Sequence, residues 1–212
     1  MKSTFYKLEI TLLTELLGTK PGDPEVTERF LRSKAEEAGQ DGSDIMETVP
    51  ELQKGTTGFD MQKFPDGTSR RVYVAYMLKG FFKEAASFMN GKVLEHGKTV
   101  KNFRSKIDNN VFIGPRYIPL MYQGEVAYCE RPLRATTAQG PRVTLARSEQ
   151  LPDATTLSCY LKVFDGEITE NHLRELLNYG QDKGLGQWRN GGYGQFSYVL
   201  TKIDDPTFVL PR

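Results

Sequence analysis

The sequence predicts an α+β domain, on three observations. Tyr6, Leu8, Ile10 and Leu12 alternate with Lys7, Glu9 and Thr11, the two-residue period of a half-buried strand. Leu78, Phe81, Phe82, Ala85 and Met89 recur at helical spacing. Further on, a second helical stripe of Leu173, Leu176 and Leu177 precedes a strand with Phe196, Tyr198 and Leu200 on one face.

Composition bounds this reading. The 212 residues are 38% hydrophobic and 26% charged, which suits a globular chain with one sizeable core. No apolar run approaches the ~18 residues of a membrane span. The stretch Leu8–Leu17 is interrupted by Glu9, Thr11, Thr14 and Glu15 and lacks a cleavage pattern, so it is not read as a signal peptide. Cys129 and Cys159 are too few for a disulfide framework or a zinc site. A cytoplasmic protein without metal or cofactor is expected. Charge is uneven: residues 1–60 carry a net −5, residues 61–147 a net +9 and residues 148–212 a net −3, leaving +1 in all. A positive middle is the footprint of an anionic ligand if folding gathers it on one face, and otherwise a solvated surface. Both readings stand at this point.

The elements follow in order. After the first strand, Asp23-Pro24-Glu25 is a helix start: Asp23 as N-cap, Pro24 at the first helical position, Glu25 and Glu28 near the positive end. Gly39 stops that helix, and residues 40–58 read as loop. Phe59–Phe64 and Arg70–Tyr76 flank Pro65-Asp66-Gly67, a hairpin signal. The helix of Leu78–Met89 follows, with Lys79 and Lys83 four apart on another face. Gly80 weakens it by up to ~1 kcal/mol relative to alanine, which calls for a packing or contact reason. Residues 91–140 hold the basic run Lys98, Lys101, Arg104 and Lys106, then an apolar stretch from Val111 to Met121 in which Pro115 and Pro119 exclude a regular central strand. Arg142–Arg147 and Thr155–Phe164 read as strands separated by a Pro152-Asp153 turn. Thr169 caps the last helix, with Ile168 and Leu173 placed as a hydrophobic staple.

The informative motif runs from Gly184 to Phe196, with five glycines between Gly184 and Gly194. Glycine lets backbone take positive φ and approach a ligand closely, and exposed amides hold phosphate oxygens. Arg189 adds a fork of donors; Trp188 and Tyr193 add faces on which bases stack. Gly186 and Gly191 have Walker-type separation without the Gly-Lys-Ser/Thr ending, and the loop precedes a strand where a dinucleotide fingerprint would open a helix.

This loop, Gly-hydrophobic-Gly-x-x-Arg-x-x-Gly-aromatic-Gly-x-hydrophobic, resembles the C-terminal glycine-rich loop of RAMP superfamily proteins, closest to the backbone subunits of CRISPR effector complexes. Leu78-Lys79-Gly80-Phe81-Phe82-Lys83 is similar to the Leu-Lys-Gly-x-x-Arg motif of those subunits, with Lys83 where arginine is usual. The two motifs stand in the family's order and cover roughly half the chain. The resemblance implies a ferredoxin-like (RRM-like) β-α-β-β-α-β core with an antiparallel sheet. It places one domain over 1–212, with its core at about 4–17, 72–90 and 142–204 and long insertions at about 18–71 and 91–141. It implies binding of RNA or another single-stranded nucleic acid, at Lys79, Lys83, Arg134, Arg142, Gly186, Trp188, Arg189, Gly192 and Tyr193. Expected partners are CRISPR-type effector subunits or further copies of the chain, with no membrane. Two alternatives accompany this reading: a phage-encoded RAMP-like protein acting on a host defence complex by protein or nucleotide binding, and an endonuclease for CRISPR repeat RNA.

Catalysis finds little support. His96 lies just beyond a helix and His172 in the first turn of another, neither with an acid or nucleophile partner in sequence. No clustered acidic residues suggest a two-metal nuclease. Trp188, the one tryptophan, suits either a core plug or a stacking platform.

Overall fold

The structure is a computed structural model that describes residues 2–21, 56–94, 99–137, 140–164 and 166–204, and side chains except over 133–144. The expected helix at Asp23–Gly39, most of the following loop, and His96 lie outside the described residues. What is described is an α+β fold with mainly antiparallel sheets.

The first strand, β1 (Ser3–Leu12), forms where alternation predicts it, burying Tyr6, Leu8, Ile10 and Leu12 on one face. Short strands β2 (Leu16–Leu17), β3 (Lys20–Pro21) and β4 (Thr56–Gly58) follow. The hairpin signal also holds: β5 (Asp60–Lys63) pairs antiparallel with β6 (Ser69–Val74). In its turn Gly67 has φ +81°, and the Asp66 carboxylate accepts from the Thr68 amide at 2.9 Å and hydroxyl at 2.6 Å. Those bonds hold Asp66 below the usual carboxylate range. Helix α1 (Ala75–Met89) starts directly at the end of β6 and buries Leu78, Phe81, Phe82, Ala85 and Ala86.

Between Asn90 and Ala127 the chain departs from the sequence reading. Helix α2 (Phe103–Asn110) carries Arg104 and Lys106 of the basic run and buries Phe103 and Ile107. Strand β7 (Val111–Gly114) stops at Pro115, and β8 (Tyr117–Pro119) ends on Pro119. The prolines therefore bound two short strands where a single long one was excluded. Both strands are at sheet edges, where a missing amide costs least.

Strands β9 (Ala127–Thr137) and β10 (Gly140–Leu151) make a long antiparallel hairpin. Next come β11 (Thr156–Phe164), α3 (Glu170–Lys183) and β12 (Phe196–Ile203). Thr169 is the N-cap of α3: its hydroxyl accepts from the His172 amide at 3.4 Å while His172 Nδ1 accepts from the Thr169 amide at 3.2 Å. Ile168 and Leu173, the expected staple, are both buried.

The main sheet has the order β12-β1-β11-β7, antiparallel throughout. The first and last strands, both read from their alternation, are thus paired in one sheet. The partner of β11 is a correction. Arg142–Arg147 was expected beside Thr155–Phe164 in this sheet, but β10 belongs to another, paired with β9, β2 and, in parallel, β4. Val111–Gly114 takes the expected place instead. Helices α1 and α3 supply the apolar stripes packed with the buried side chains of the sheet. Their approach depends on Gly180, because a Cβ there would sit 2.0 Å from Phe81 Cζ.

Candidate nucleic-acid interface

The glycine-rich segment after α3 is folded back and bonded at several points. The Leu185 amide donates to the Gly194 carbonyl at 2.8 Å, and the Gly194 amide to Glu15 O at 2.8 Å. Thr14 joins in from both sides: its hydroxyl donates to Gly192 O at 2.9 Å and accepts from the Gln195 amide at 2.9 Å. Gly184, Gly186, Gly192 and Gly194 all have positive φ, as does Trp188 at +50°. At Gly186 a Cβ would lie 2.8 Å from Leu17 O, whereas Gly192 faces open space. Part of this glycine content is therefore close packing, and many of the amides are spent inside the protein.

The loop separates two surfaces. On one side Arg189 and Gly186, with Gly184 and Leu185, face α1 across a groove of about 730 Å³. Tyr76, Met77, Gly80 and Glu84 contribute the α1 wall, and Lys20 and Asp60 lie at another rim. Gly80 has nothing within 4 Å of where a Cβ would stand, so its reason is not packing; it leaves the helix wall bare where the groove is. Tyr76 beside it is 70% exposed. Tyr73 is buried beneath, and burial pushes its hydroxyl up to about 12 against the opposing pull of the Gly186 amide and Arg189. Arg189 Nη1 donates to Glu84 Oε2 at 2.8 Å.

On the other side Trp188 and Tyr193 stack, with ring centroids 5.1 Å apart and planes 18° from parallel. Trp188 keeps 45% of its surface exposed, so it is not a core plug. The guanidinium of buried Arg131 lies 5.3 Å from its ring. Arg131 is fixed in turn by Ser148 Oγ at 3.3 Å and by Gln187 Oε1 at 2.7 Å. The Cys129 thiol, 3.7 Å from the Tyr193 hydroxyl, holds that hydroxyl above the ordinary tyrosine range. The result is a rigid aromatic pair with a cation beside it, held by β9, β10 and the loop.

The remaining predicted residues fall elsewhere. Lys79 reaches the end of α2, where Nζ donates to Ile107 O at 2.8 Å, to Asp108 O at 3.0 Å and to Val111 O. Burial lowers its ammonium to about 8, with Asp108 pulling the other way. Lys83 Nζ meets Asp108 Oδ2 at 2.9 Å. Arg134 and Arg142 stand on the outer half of the β9–β10 hairpin, opposite Val143 and Ala135 in register. Part of the positive middle of the sequence is also matched by acids: Arg70, Arg71, Lys79, Lys83, Lys106 and Arg147 each lie within 4.0 Å of a carboxylate oxygen. His172 serves the helix cap and meets Phe103 edge-on at 5.7 Å.

Lys79 gives a first prediction. Lys79→Met keeps the stem but strips three carbonyls of their donor, so stability should fall by about 1.5 kcal/mol, the low end for a charged donor. A melting curve checks this. Because folding depresses this lysine, wild type should gain stability as pH rises from about 8 to the unfolded value of 10.5, a gain absent from the methionine variant.

Reasoning from sequence missed Tyr76, Glu84, Gln187 and Lys20. Tyr76, Gly80 and Glu84 are spaced i, i+4, i+8, a stripe that was available in the sequence. Among the described residues no three metal-ligating side chains cluster, and no helix is long and apolar enough to cross a membrane.

No known protein family matches the chain, and no curated protein matches it. Solved structures do. A chain of a Type IV-B CRISPR complex superposes with a TM-score of 0.50 at 11% identity, over 98% of this chain and 94% of that one. The fold is similar to that of a CRISPR complex subunit. A chain in a Type III-B Cmr-beta structure bound to cognate target RNA gives a TM-score of 0.44 at 13% identity, over 95% of this chain. This protein spans only 61% of that Cmr-beta chain's length.

Proposed function

We propose that the protein is a non-catalytic RAMP-type subunit of a CRISPR effector assembly, holding single-stranded RNA against its glycine-rich loop. The observation that carries this reading is the Trp188–Tyr193 stack, half exposed on a braced loop whose next residue, Arg189, opens onto the groove along α1. Aromatic faces and a guanidinium are what a sequence-tolerant single-strand site uses. The fold supports it further. In chain order the main-sheet strands run fourth, first, third, second, the order of a ferredoxin-like β-α-β-β-α-β sheet. The similarity to the Type IV-B chain agrees with an effector-type fold. In this reading Gly192 lets the backbone approach the strand, Gly186 holds the loop close against Leu17 where it lines the groove, and Arg134 and Arg142 extend the contact along the β9–β10 arm. Lys79 and Lys83 order the corner between α1 and α2.

The test is titration of labelled single-stranded RNA at two salt concentrations, beside single-stranded DNA. Binding should weaken with salt, with a slope of roughly −0.7 per phosphate contact. Arg189→Ala should flatten that slope by about 0.7, one contact's worth. Absence of binding at low salt would overturn the proposal and leave the loop as a protein-contact surface.

A further inference from the structure

The groove's two cations are each held by an acid from another element lining it. Arg189 on the loop is bonded to Glu84 of α1 at 2.8 Å, across 105 positions of sequence. Lys20 of β3 is paired with Asp60 of β5. Neither pair is buried: the Arg189 and Glu84 side chains are 27% and 44% exposed. With both pairs closed the groove contributes no net charge, although its lining includes two cations.

We propose that Glu84 is a latch on the RNA site. Its carboxylate occupies the guanidinium that a phosphate of the bound strand takes, so entry of the ligand exchanges one ion pair for another. The inference rests on the RNA-binding reading above and adds how that site is held in check. The physical basis is the guanidinium's fork, which matches carboxylate and phosphate alike, so the two anions compete for the same donors. An exposed ion pair is weak, and breaking it costs about two- to fivefold in an equilibrium constant. The latch therefore lowers affinity without abolishing it. A single small anion gains nothing by the exchange, whereas a strand that also makes stacking and neighbouring phosphate contacts recovers the loss. Glu84 thereby favours a polyanion over the free anions of the solution.

A double-mutant cycle reads this directly. Dissociation constants for a labelled single-stranded RNA are measured for wild type, Glu84→Gln, Arg189→Ala and the double variant, at one salt concentration. Glu170→Gln is the control: it frees Arg174 from a comparable pair at the opposite end of α3, roughly 20 Å along that helix. Glu84→Gln should tighten binding about two- to fivefold. The gain should vanish in the Arg189→Ala background, and Glu170→Gln should give none. Melting curves verify that each variant is folded, and Glu84→Ala should reproduce the glutamine result. An equal gain with and without Arg189 overturns the latch, since it would show simple removal of a negative charge. So does unchanged or weaker binding by Glu84→Gln when wild type binds. If wild type and every variant fail to bind, the RNA-binding reading itself has failed; binding by Glu84→Gln alone would exceed what an exposed ion pair can withhold and would overturn the latch as stated.

Discussion

Replacing Gly194 by alanine should destabilise the protein by about 3 kcal/mol and remove RNA binding with it. Gly194 has φ +74°, a region that costs a residue with a Cβ roughly 1–2 kcal/mol. The added Cβ would stand 2.0 Å from Leu185 O and 2.7 Å from Leu185 N. Those are backbone atoms, so no side-chain rotation relieves the clash, and overpacking adds about 1–3 kcal/mol. The same residue carries the bonds from Leu185 and to Glu15 that fold the loop back. At this chain length the loss corresponds to a fall in Tm of roughly 6–12 °C. Gly192→Ala is the internal comparison: φ is +85° but the space is open, so only the conformational cost of about 1–2 kcal/mol applies. If Gly194→Ala melts no lower than Gly192→Ala, the close-packed account of the loop is wrong.

Trp188→Ala should weaken RNA binding by about 1–3 kcal/mol, roughly 5- to 150-fold, and leave the salt slope unchanged. Stacking carries no phosphate contact, so counterion release is untouched. Stability should fall by no more than about 0.5–1.5 kcal/mol, the worth of an aromatic pair, because 45% of the residue is already exposed. A core tryptophan would instead cost about 3–5 kcal/mol, and binding would fail through unfolding. Titrations at two salt concentrations beside a melting curve separate the two outcomes. Unchanged affinity in a folded Trp188→Ala variant would remove the platform from the site and with it the main support for the proposed function.

Several elements were legible because their signal is local. The alternation in Ser3–Leu12, the Pro65-Asp66-Gly67 turn and the Thr169 cap depend on residues within a few positions of each other. Val111–Gly114 was not legible: four residues between a helix and a proline carry too little period to identify a strand. Arg142–Arg147 reads as a core strand, and is part of β10, but periodicity does not say which sheet a strand joins. The loop was recognisable by its glycines, Trp188 and Arg189, yet the acid on Arg189 comes from a helix 105 positions away.

The sequence by itself determined the α+β class, half of the described strands and two of the three described helices, and the segment that carries the glycines and aromatics of the proposed site. Only the tertiary structure decided that β7 completes the main sheet, that Arg131 lies against the Trp188 ring, and that carboxylates close the groove's cations. The physical reason is range. Turns, caps and amphipathic periods are set by neighbours along the chain, whereas strand order, ion pairing and the neutralisation of a charged stretch are set by residues that meet only once the core has closed.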